Sequence, residues 1–212
     1  MMKTKAQVAY EQIKREIMRG NYPTNAPLSE SFFSDKLSMS RTPIRAALQA
    51  LEKDGFIRIF PKKGIIVREM SYEEALQLFD LRTLVERYLI KQSVELLNNK
   101  DFEYLSSLID KQKDARSNED YERFLSLDQS FHLYCYKHYD NKLMIDIVRL
   151  FRERFYLLRL KTIQQPGRID KAIEEHIRIL NSLSKKDFKN AVQLSERHFD
   201  TLRVTIGDQF LK

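Results

Sequence analysis

Residues 37–56 read LSMSRTPIRAALQALEKDGF, and this stretch predicts an amphipathic helix that decides how the first third of the chain folds. Apolar residues at positions 44, 47, 48 and 51 recur at the spacing of one buried helical face. Ser40 is placed to cap the helix, Pro43 occupies the first turn, where its missing N–H costs nothing, and Gly55 ends the helix. The opposite face carries polar side chains with long reach or hydroxyl groups: Arg41, Thr42, Arg45 and Gln49.

Donor side chains at the start of a helix are suited to a DNA major groove, because guanidinium groups reach both phosphates and guanine edges. The helix that begins after Ser40 is therefore a candidate recognition helix. An ordinary amphipathic helix with solvated arginines is the alternative interpretation.

The sequence before this helix predicts a helix-turn-helix. Helical spacing over residues 4–19 predicts a first helix that ends at Gly20, and a turn-rich segment follows. Ser29 can cap a short second helix that reaches Lys36. A short connection then leads into the candidate recognition helix, as in DNA-binding helix-turn-helix units.

The sequence after the helix predicts a β-hairpin with a basic tip. Residues 56–60 and 65–67 are rich in β-forming side chains, and Pro61 stands at the start of the connection between them. A hairpin beside a helix-turn-helix is a winged helix, whose tip is expected to lie against the DNA backbone. The tip residues assigned to DNA contact are Lys62, Lys63 and Gly64, and a solvated turn is the alternative for the two lysines.

The basic charge of the chain is concentrated in its first third. The chain has 37 basic and 30 acidic residues and a formal net charge of +7. Residues 1–70 hold 13 basic and 7 acidic residues, whereas residues 71–212 hold 24 and 23. A basic small domain beside a nearly neutral larger one indicates that the small domain meets a polyanion.

Composition excludes several classes of protein. No apolar run approaches the ~20 residues of a membrane span, and the first residues lack the apolar segment of a signal peptide, so a cytoplasmic location is expected. The single cysteine, Cys135, excludes an internal disulfide framework and is expected to be a small buried hydrophobe. With 5 glycines and 5 prolines in the chain, long helices are favoured over a turn-rich β architecture.

The remainder of the chain predicts an all-helical domain. Ser71 followed three residues later by Glu74 is a capping-box pattern, which places the domain boundary between residues 1–70 and residues 71–212. Further helices are predicted at 101–115, 118–139, 142–162, 169–183 and 187–210, separated by polar or Pro-Gly breaks. The expected fold is therefore mostly α: an N-terminal winged helix-turn-helix and a C-terminal antiparallel helical bundle.

Three histidines and one aspartate in this bundle are candidate metal ligands. Asp128 and His132 are four residues apart, so both project from one face of a helix. His176 and His198 lie on later helices that can converge on the same interior. Imidazoles with one carboxylate suit a divalent transition metal such as zinc, nickel or manganese. Core histidines satisfied by hydrogen bonds are the alternative.

Residues 20–67 resemble the DNA-binding domain of the GntR family of bacterial transcription regulators. The resemblance is carried by Leu28-Ser29-Glu30, by Ser40-Arg41-Thr42-Pro43-Ile44-Arg45, by Ala47-Leu48, and by Leu51, Gly55 and Gly64. Two positions depart from the family pattern. Ala46 stands where the family usually has glutamate, and Ser31 stands where it often has a basic residue, which puts one DNA contact and the operator preference in question.

Residues 71–212 are similar to the effector-binding domain of the FadR subgroup, often called the FCD domain. That resemblance implies that Asp128, His132, His176 and His198 hold a metal at a ligand pocket. It also implies effector contacts for Asn141 and for Arg82, whose guanidinium is shaped to pair with a carboxylate bound to the metal. A salt bridge from Arg82 to Glu86, four residues on, is the alternative role.

These features predict a homodimeric, ligand-responsive transcription regulator that is not an enzyme. Two copies would read a palindromic DNA operator, and a small carboxylate at the metal would modulate that binding. One rival is a metal-dependent hydrolase with a basic accessory domain. Another is a DNA-binding regulator whose histidines are structural.

Two further features of the second domain have less specific predictions. His138 is expected at the surface or beside the site, and residues 151–156 are assigned to a pocket or to a subunit contact.

Overall fold

A computed structural model describes residues 3–24 and 26–207 and confirms a mostly helical chain. The chain divides into two compact units, Met1–Ser71 and Tyr72–Lys212. Each unit has its own hydrophobic core, so each is described separately.

The first unit is a three-helix domain with a two-stranded wing. Its elements are α1 (Lys5–Met18), α2 (Glu30–Leu37), α3 (Arg41–Lys53), β1 (Ile57–Phe60) and β2 (Gly64–Val67). Thr4 caps α1 with a reciprocal capping box, and Ser29 caps α2 through the Phe32 N–H. Helix α3 packs on α1 and α2 and buries the predicted apolar face at Ile44, Ala47, Leu48 and Leu51.

The wing is an antiparallel hairpin. Ile57 pairs with Val67 at one end of the hairpin, and Phe60 pairs with Gly64 beside the turn. A further bridge joins Leu28 to Ile65, so the segment before α2 extends the pairing. The wing is thereby fixed to the helices by main-chain hydrogen bonds.

Within residues 72–207 the second unit is a bundle of seven α-helices with one short 3-10 turn at Val94–Leu96. The helices are α4 (Tyr72–Ser93), α5 (Asn99–Ser117), α6 (Tyr121–Cys135), α7 (Lys142–Arg154), α8 (Tyr156–Ile163), α9 (Arg168–Ser184) and α10 (Phe188–Gly207). Helix α5 packs on α6 and α9, α9 packs on α10, and α4 packs on α7 and α10. Their apolar faces meet in one buried core.

Several predicted helix bounds need correction. The helix predicted at 118–139 begins at Tyr121, because Glu119 has a positive φ of 53° and Asp120 caps the new helix. It ends at Cys135 rather than near residue 139. The predicted 142–162 helix is two helices, since the backbone at buried Phe155 (φ −85°, ψ 0°) leaves the helical range and ends α7. The predicted end of the last helix, Phe210, lies outside the described residues.

One predicted cap also differs. Ser40 occupies the N-cap position of α3, but among the described residues its hydroxyl makes no cap hydrogen bond. The helix start therefore depends on the buried face and on Pro43 in the first turn rather than on a serine cap.

Candidate functional site

The four predicted metal ligands converge inside the second unit. Asp128 and His132 lie on α6, His176 on α9 and His198 on α10. One ligand atom from each of the four side chains lies within 4.8 Å of those of the others, and all four residues are buried. The i, i+4 spacing on α6 brings two of them to one face, and the packing of α9 and α10 supplies the others. We call these four residues the metal cluster.

The three imidazole rings of the metal cluster surround a common point. Their centroids are 5.1 Å apart for His132 and His176, 5.0 Å for His132 and His198, and 4.9 Å for His176 and His198. Oδ1 of Asp128 lies 3.8 Å from Nε2 of His132 and 3.6 Å from Nε2 of His176. Within the described part of the chain, these two Nε2 atoms are buried and have no hydrogen-bond partner.

Two arginines hold the other oxygen of Asp128. Nη1 of Arg152 on α7 donates to Oδ2 over 3.0 Å, and Nη2 of Arg159 on α8 makes a short contact with the same atom. Burial alone would raise the pKa of Asp128, but Arg159, His132 and Arg152 outweigh it and hold that pKa well below its usual value. The carboxylate is therefore ionised, with one oxygen bound by arginines and one facing the histidines.

Two histidines of the metal cluster, His132 and His176, favour the neutral form. Burial, followed by the charge of Arg152, lowers the pKa of His132 well below its usual value. Burial, followed by the charge of His198, lowers the pKa of His176 to about 3. Neutral imidazoles are the form that binds metals, so these rings do not have to lose a proton at neutral pH.

A second hydrogen-bonding layer surrounds the imidazoles. Nδ1 of His176 lies 2.8 Å from Oε1 of Gln112, a fully buried residue of α5. Nδ1 of His198 lies 2.7 Å from Oε2 of Glu175 on α9. Arg168 lies 3.8 Å from the same glutamate oxygen.

Arg82 makes the buried salt bridge that its spacing allows. Its Nε donates to Oε1 of Glu86 over 2.5 Å, and Tyr136 donates to Oε2 of Glu86 over 2.8 Å. Arg152 lies 3.5 Å from the same oxygen, so one arginine approaches both Glu86 and Asp128. Burial would raise the pKa of Glu86, but Arg82 and Arg152 lower it. Nη1 of Arg82 is buried and has no hydrogen-bond partner within the described residues.

The other candidate residues have structural contacts. Asn141 caps α7 by accepting a hydrogen bond from the Met144 N–H over 3.1 Å. His138 is partly exposed and lies 2.8 Å from a carboxylate oxygen of Asp101. Cys135 is buried, which raises the pKa of its thiol to about 12 and makes it unreactive, as expected of a small buried hydrophobe.

The donor set of the metal cluster fits a divalent transition metal. Three imidazole nitrogens and one carboxylate oxygen are the ligands that zinc, nickel and manganese accept. Two buried, unpartnered Nε2 atoms would be costly without a partner, and an ion among them would satisfy both. Four protein ligands leave positions open in a five- or six-coordinate ion, so an oxygen of a small molecule can join the coordination sphere.

The candidate DNA-reading surface is exposed. The side chains that face solvent at the N-cap and along α3 are those of Ser40, Arg41, Thr42, Arg45 and Gln49. At the turn of the wing, Lys62 and Lys63 are exposed. Gly64 does not lie in the turn with the two lysines but is the first residue of β2. An added Cβ there would lie 2.8 Å from the Leu28 carbonyl oxygen. Its role in the structure is therefore to allow close packing of the wing.

One arginine of this surface has an acidic partner. Nε and Nη2 of Arg45 donate to the two carboxylate oxygens of Glu30 over 3.0 and 2.9 Å, which joins α3 to α2. The hydrogen bond from Arg45 lowers the pKa of Glu30. This bidentate pair occupies the Nε–Nη2 edge of the guanidinium and does not involve Nη1.

Sequence reasoning missed five residues of these sites: Arg152, Arg159, Gln112, Glu175 and Glu30. The first two lie in or near residues 151–156, a run that by sequence alone predicts only a pocket or a subunit contact. Glu30 was visible in the Leu28-Ser29-Glu30 motif. Nothing in the local pattern identifies Gln112 or Glu175, because both act through contacts between different helices.

Comparison with known proteins gives matches over both units. Residues 77–201 match the family model described as FCD domain, and residues 5–67 match the model described as bacterial regulatory proteins, gntR family. The HTH-type transcriptional regulator YdhC of Bacillus subtilis is 22% identical over 193 residues, which cover 90% of this chain and 86% of that protein. The gluconate operon transcriptional repressor of Bacillus subtilis is 24% identical over 213 residues, covering 98% and 87%.

A solved structure shares the fold. That of E. coli McbR/YncC matches with a TM-score of 0.81 at 19% identity and covers 99% of this chain and 100% of that chain. Over residues 3–24 and 26–207, no helix is both long and apolar enough to cross a membrane.

Proposed function

This chain belongs to the gntR family of bacterial regulatory proteins and is a DNA-binding transcription regulator with an FCD effector domain, and we propose that its input is a metal-bound small carboxylate. The family matches and the names of the relatives indicate a regulator rather than an enzyme, so the hydrolase alternative is excluded. In this proposal residues 1–70 form the DNA-binding domain, and residues 71–212 form the effector- and metal-binding domain.

The observation that carries the proposal is the metal cluster. Three nitrogens and one oxygen come together in a buried site, and they belong to His132, His176, His198 and Asp128. They would hold a zinc, nickel or manganese ion, which supplies a Lewis acid that attracts an anionic oxygen. Two unpartnered Nε2 atoms argue against the alternative that all the histidines are core residues satisfied by hydrogen bonds.

The charges beside the metal cluster favour an anionic effector. Arg82, Arg152 and Arg159 carry three positive charges, against two negative charges on Glu86 and Asp128. A divalent ion would add to this excess, and buried charge of one sign is costly unless it is compensated. A carboxylate on the metal would supply that compensation, and the free Nη1 of Arg82 is available to one of its oxygens. Asn141, which caps α7, is the weaker of the two effector contacts implied by the family resemblance.

DNA reading is assigned to α3 and the wing. Exposed Arg41 and Gln49 offer donors to base edges, and Ser40, Thr42 and Arg45 flank them. Lys62, Lys63 and the main chain at Gly64 would contact the DNA backbone. The basic excess of residues 1–70 supports this assignment because phosphate neutralisation supplies most of the affinity for DNA.

A homodimer would place two such units on a palindromic operator. Helix α4 carries an exposed apolar line at Leu81, Leu84 and Tyr88, and α7, which packs on α4, exposes Leu143 and Leu150. The spacings of three, four and seven residues place each line on one helical face. We assign these residues, here named the leucine face, to a symmetric contact with a second copy, which would account for their exposure. An effector that favours one packing of the bundle would then alter the spacing of the two recognition helices.

Metal analysis and operator binding test the proposal together. Protein purified without a histidine tag is expected to hold about one divalent transition metal per chain, and a His132→Ala, His176→Ala double variant is expected to hold none. Fluorescence anisotropy with operator DNA should show that small carboxylates change affinity in the metal-loaded protein and not after chelation. Absence of stoichiometric metal from the wild-type protein would refute the proposal that the effector binds through a metal ion. Arg41→Ala with unchanged operator affinity would refute the DNA-reading assignment.

A further inference from the structure

Two histidines of the metal cluster have one ring nitrogen already engaged by an acceptor. Nδ1 of His176 lies 2.8 Å from Oε1 of Gln112, and Nδ1 of His198 lies 2.7 Å from Oε2 of Glu175. Amide and carboxylate oxygens accept hydrogen bonds and do not donate them, so each Nδ1 must carry the proton. In a neutral imidazole the other nitrogen, Nε2, then holds the lone pair.

We propose that Gln112 and Glu175 are positioning residues that hold His176 and His198 as Nδ1–H tautomers, so that both Nε2 atoms are directed to one metal ion. The inference rests on the metal site of the proposed function and names two residues that tune it. Metal-binding histidines are commonly oriented through the nitrogen that does not bind the metal, by a carboxylate or carbonyl oxygen.

The remaining contacts of the metal cluster agree with this arrangement. Nε2 of His176 is buried without a partner among the described residues and lies 3.6 Å from Oδ1 of Asp128. Nε2 of His132 is also unpartnered and lies 3.8 Å from the same oxygen. Since arginines occupy Oδ2 of Asp128, the carboxylate has Oδ1 left to offer. The atoms that remain are three Nε2 nitrogens and one oxygen.

The two positioning residues come from different helices and differ in charge. Gln112 is a neutral, fully buried residue of α5, a helix that contributes no ligand to the metal cluster. Glu175 immediately precedes His176 on α9, so this helix supplies one ligand and also the partner of a ligand on α10. The carboxylate is the stronger acceptor and should make His198 the more basic ligand.

Matched substitutions separate positioning from simple packing. Gln112→Leu and Glu175→Leu remove the acceptor, whereas Gln112→Glu and Glu175→Gln retain an oxygen at nearly the same place. The metal dissociation constant would be measured by competition with a chromophoric chelator, using Zn²⁺ and Co²⁺. We expect the two leucine variants to raise the dissociation constant by about 10- to 100-fold and to alter the Co²⁺ absorption spectrum. The two conservative variants should stay within a few-fold of the wild-type protein.

Imidazole ¹⁵N chemical shifts of the metal-free protein give a second readout that requires no metal. The wild-type protein should show Nδ1–H tautomers for His176 and His198, and each leucine variant should lose that tautomer preference for its own histidine. Nε2–H tautomers in the wild-type protein, or unchanged dissociation constants in the leucine variants, would overturn the inference. If the wild-type protein bound no metal while showing Nδ1–H tautomers, the proposed metal input would fail, but the orienting role of the two residues would stand.

Discussion

Arg82 shows, at the scale of one residue, what a buried charge requires. Its side chain is 2% exposed and its partner Glu86 is fully buried. Removal of Arg82 would leave buried Glu86 with Arg152 and Tyr136 as its partners, so the cost is that of one buried hydrogen bond between charged groups rather than of a wholly uncompensated charge.

We therefore expect Arg82→Met to destabilise the metal-free protein by roughly 1.5–3 kcal/mol. Urea unfolding followed by circular dichroism at 222 nm measures the change. Arg116→Met is the matched control, because Arg116 also pairs with a carboxylate, that of Asp170, but about half of its side chain is exposed. A comparable loss of stability in both variants would contradict the assignment of the large cost to burial.

The pair between Arg45 and Glu30 leads to a second prediction at the residue scale. The carboxylate holds one edge of the Arg45 guanidinium and adds negative charge beside the DNA-reading surface. Glu30→Gln should therefore raise affinity for random DNA and steepen its salt dependence by about one unit. The ratio of operator to random affinity should fall, because Arg45 is no longer held in one orientation.

Fluorescence anisotropy on both DNAs over a range of salt concentrations checks this prediction. Asp35→Asn, which removes one negative charge from the same helix, is the control. It should raise random binding without lowering the ratio. Equal ratios in the two variants would mean that Glu30 acts through its charge alone.

At the scale of an element, the wing depends on the absence of one side chain. Gly64 has φ +109°, and a Cβ there would lie 2.8 Å from the Leu28 carbonyl oxygen and 2.9 Å from the Pro27 Cβ. Main-chain hydrogen bonds between Leu28 and Ile65 hold these groups in place, so the neighbours have little freedom to move. The hairpin can therefore pack closely against Pro27 and Leu28 because residue 64 has no side chain.

Gly64→Ala should destabilise the first unit by more than about 2 kcal/mol, because backbone strain adds to the steric clash. Gly20→Ala is the control: its φ is +72°, but no atom lies within 4 Å of the added Cβ, so only the strain of about 1 kcal/mol remains. Hydrogen–deuterium exchange of the full chain, followed by mass spectrometry, reports the stability of residues 3–71 separately. Equal exchange in the two variants would contradict the steric argument.

The break between α7 and α8 is a second feature of this scale. Phe155 is fully buried and its ring lies 6.0 Å from that of Phe79 on α4. The break separates the helices that carry Arg152 and Arg159, and both side chains still reach Asp128. Phe155 is thus buried at the break while Arg152 and Arg159, which lie on separate helices, both contact Asp128.

For the whole molecule, the leucine face is the proposed contact between two copies of the chain. Leu84 and Leu143 are 67% and 73% exposed, an unfavourable arrangement for large apolar side chains on a monomer. A Leu84→Glu, Leu143→Glu double variant should be monomeric in light scattering and should lose at least tenfold in operator affinity, since the two half-sites no longer bind as one unit. Leu96→Glu, at a 50% exposed position on the 3-10 turn, should remain dimeric. A dimeric double variant would exclude this surface as the interface.

Metal removal should change the stability of the second unit. A ligand that binds only the folded state stabilises it by RT ln(1 + [L]/Kd), or about 2.7 kcal/mol at a hundredfold excess over Kd. Addition of a chelator should therefore lower the melting temperature of wild-type protein by several degrees, and zinc should restore it. His132→Gln should show no difference between chelator and zinc, and an equal difference in that variant would place the stabilising ion elsewhere.

The sequence by itself determined most of the architecture. The helix-turn-helix and wing depend on short-range patterns, such as the apolar spacing of α3 and the β-forming runs that flank residues 61–64, and local chemistry fixes such elements. The spacing of Asp128 and His132 likewise indicated a shared face. Helix ends were less accurate, because Glu119 and Phe155 end or interrupt helices through backbone conformations that spacing does not reveal.

Only the tertiary structure decided how the site is surrounded. Four residues surround the metal cluster through contacts between helices: Arg152, Arg159, Gln112 and Glu175. Glu30 likewise meets Arg45 from a neighbouring helix. The strength of a buried ionic contact depends on distance and on exclusion of water, and neither quantity is written in a local pattern. Residue types and spacing therefore identify the candidate ligands, whereas packing decides the protonation states and hydrogen bonds in which they are held.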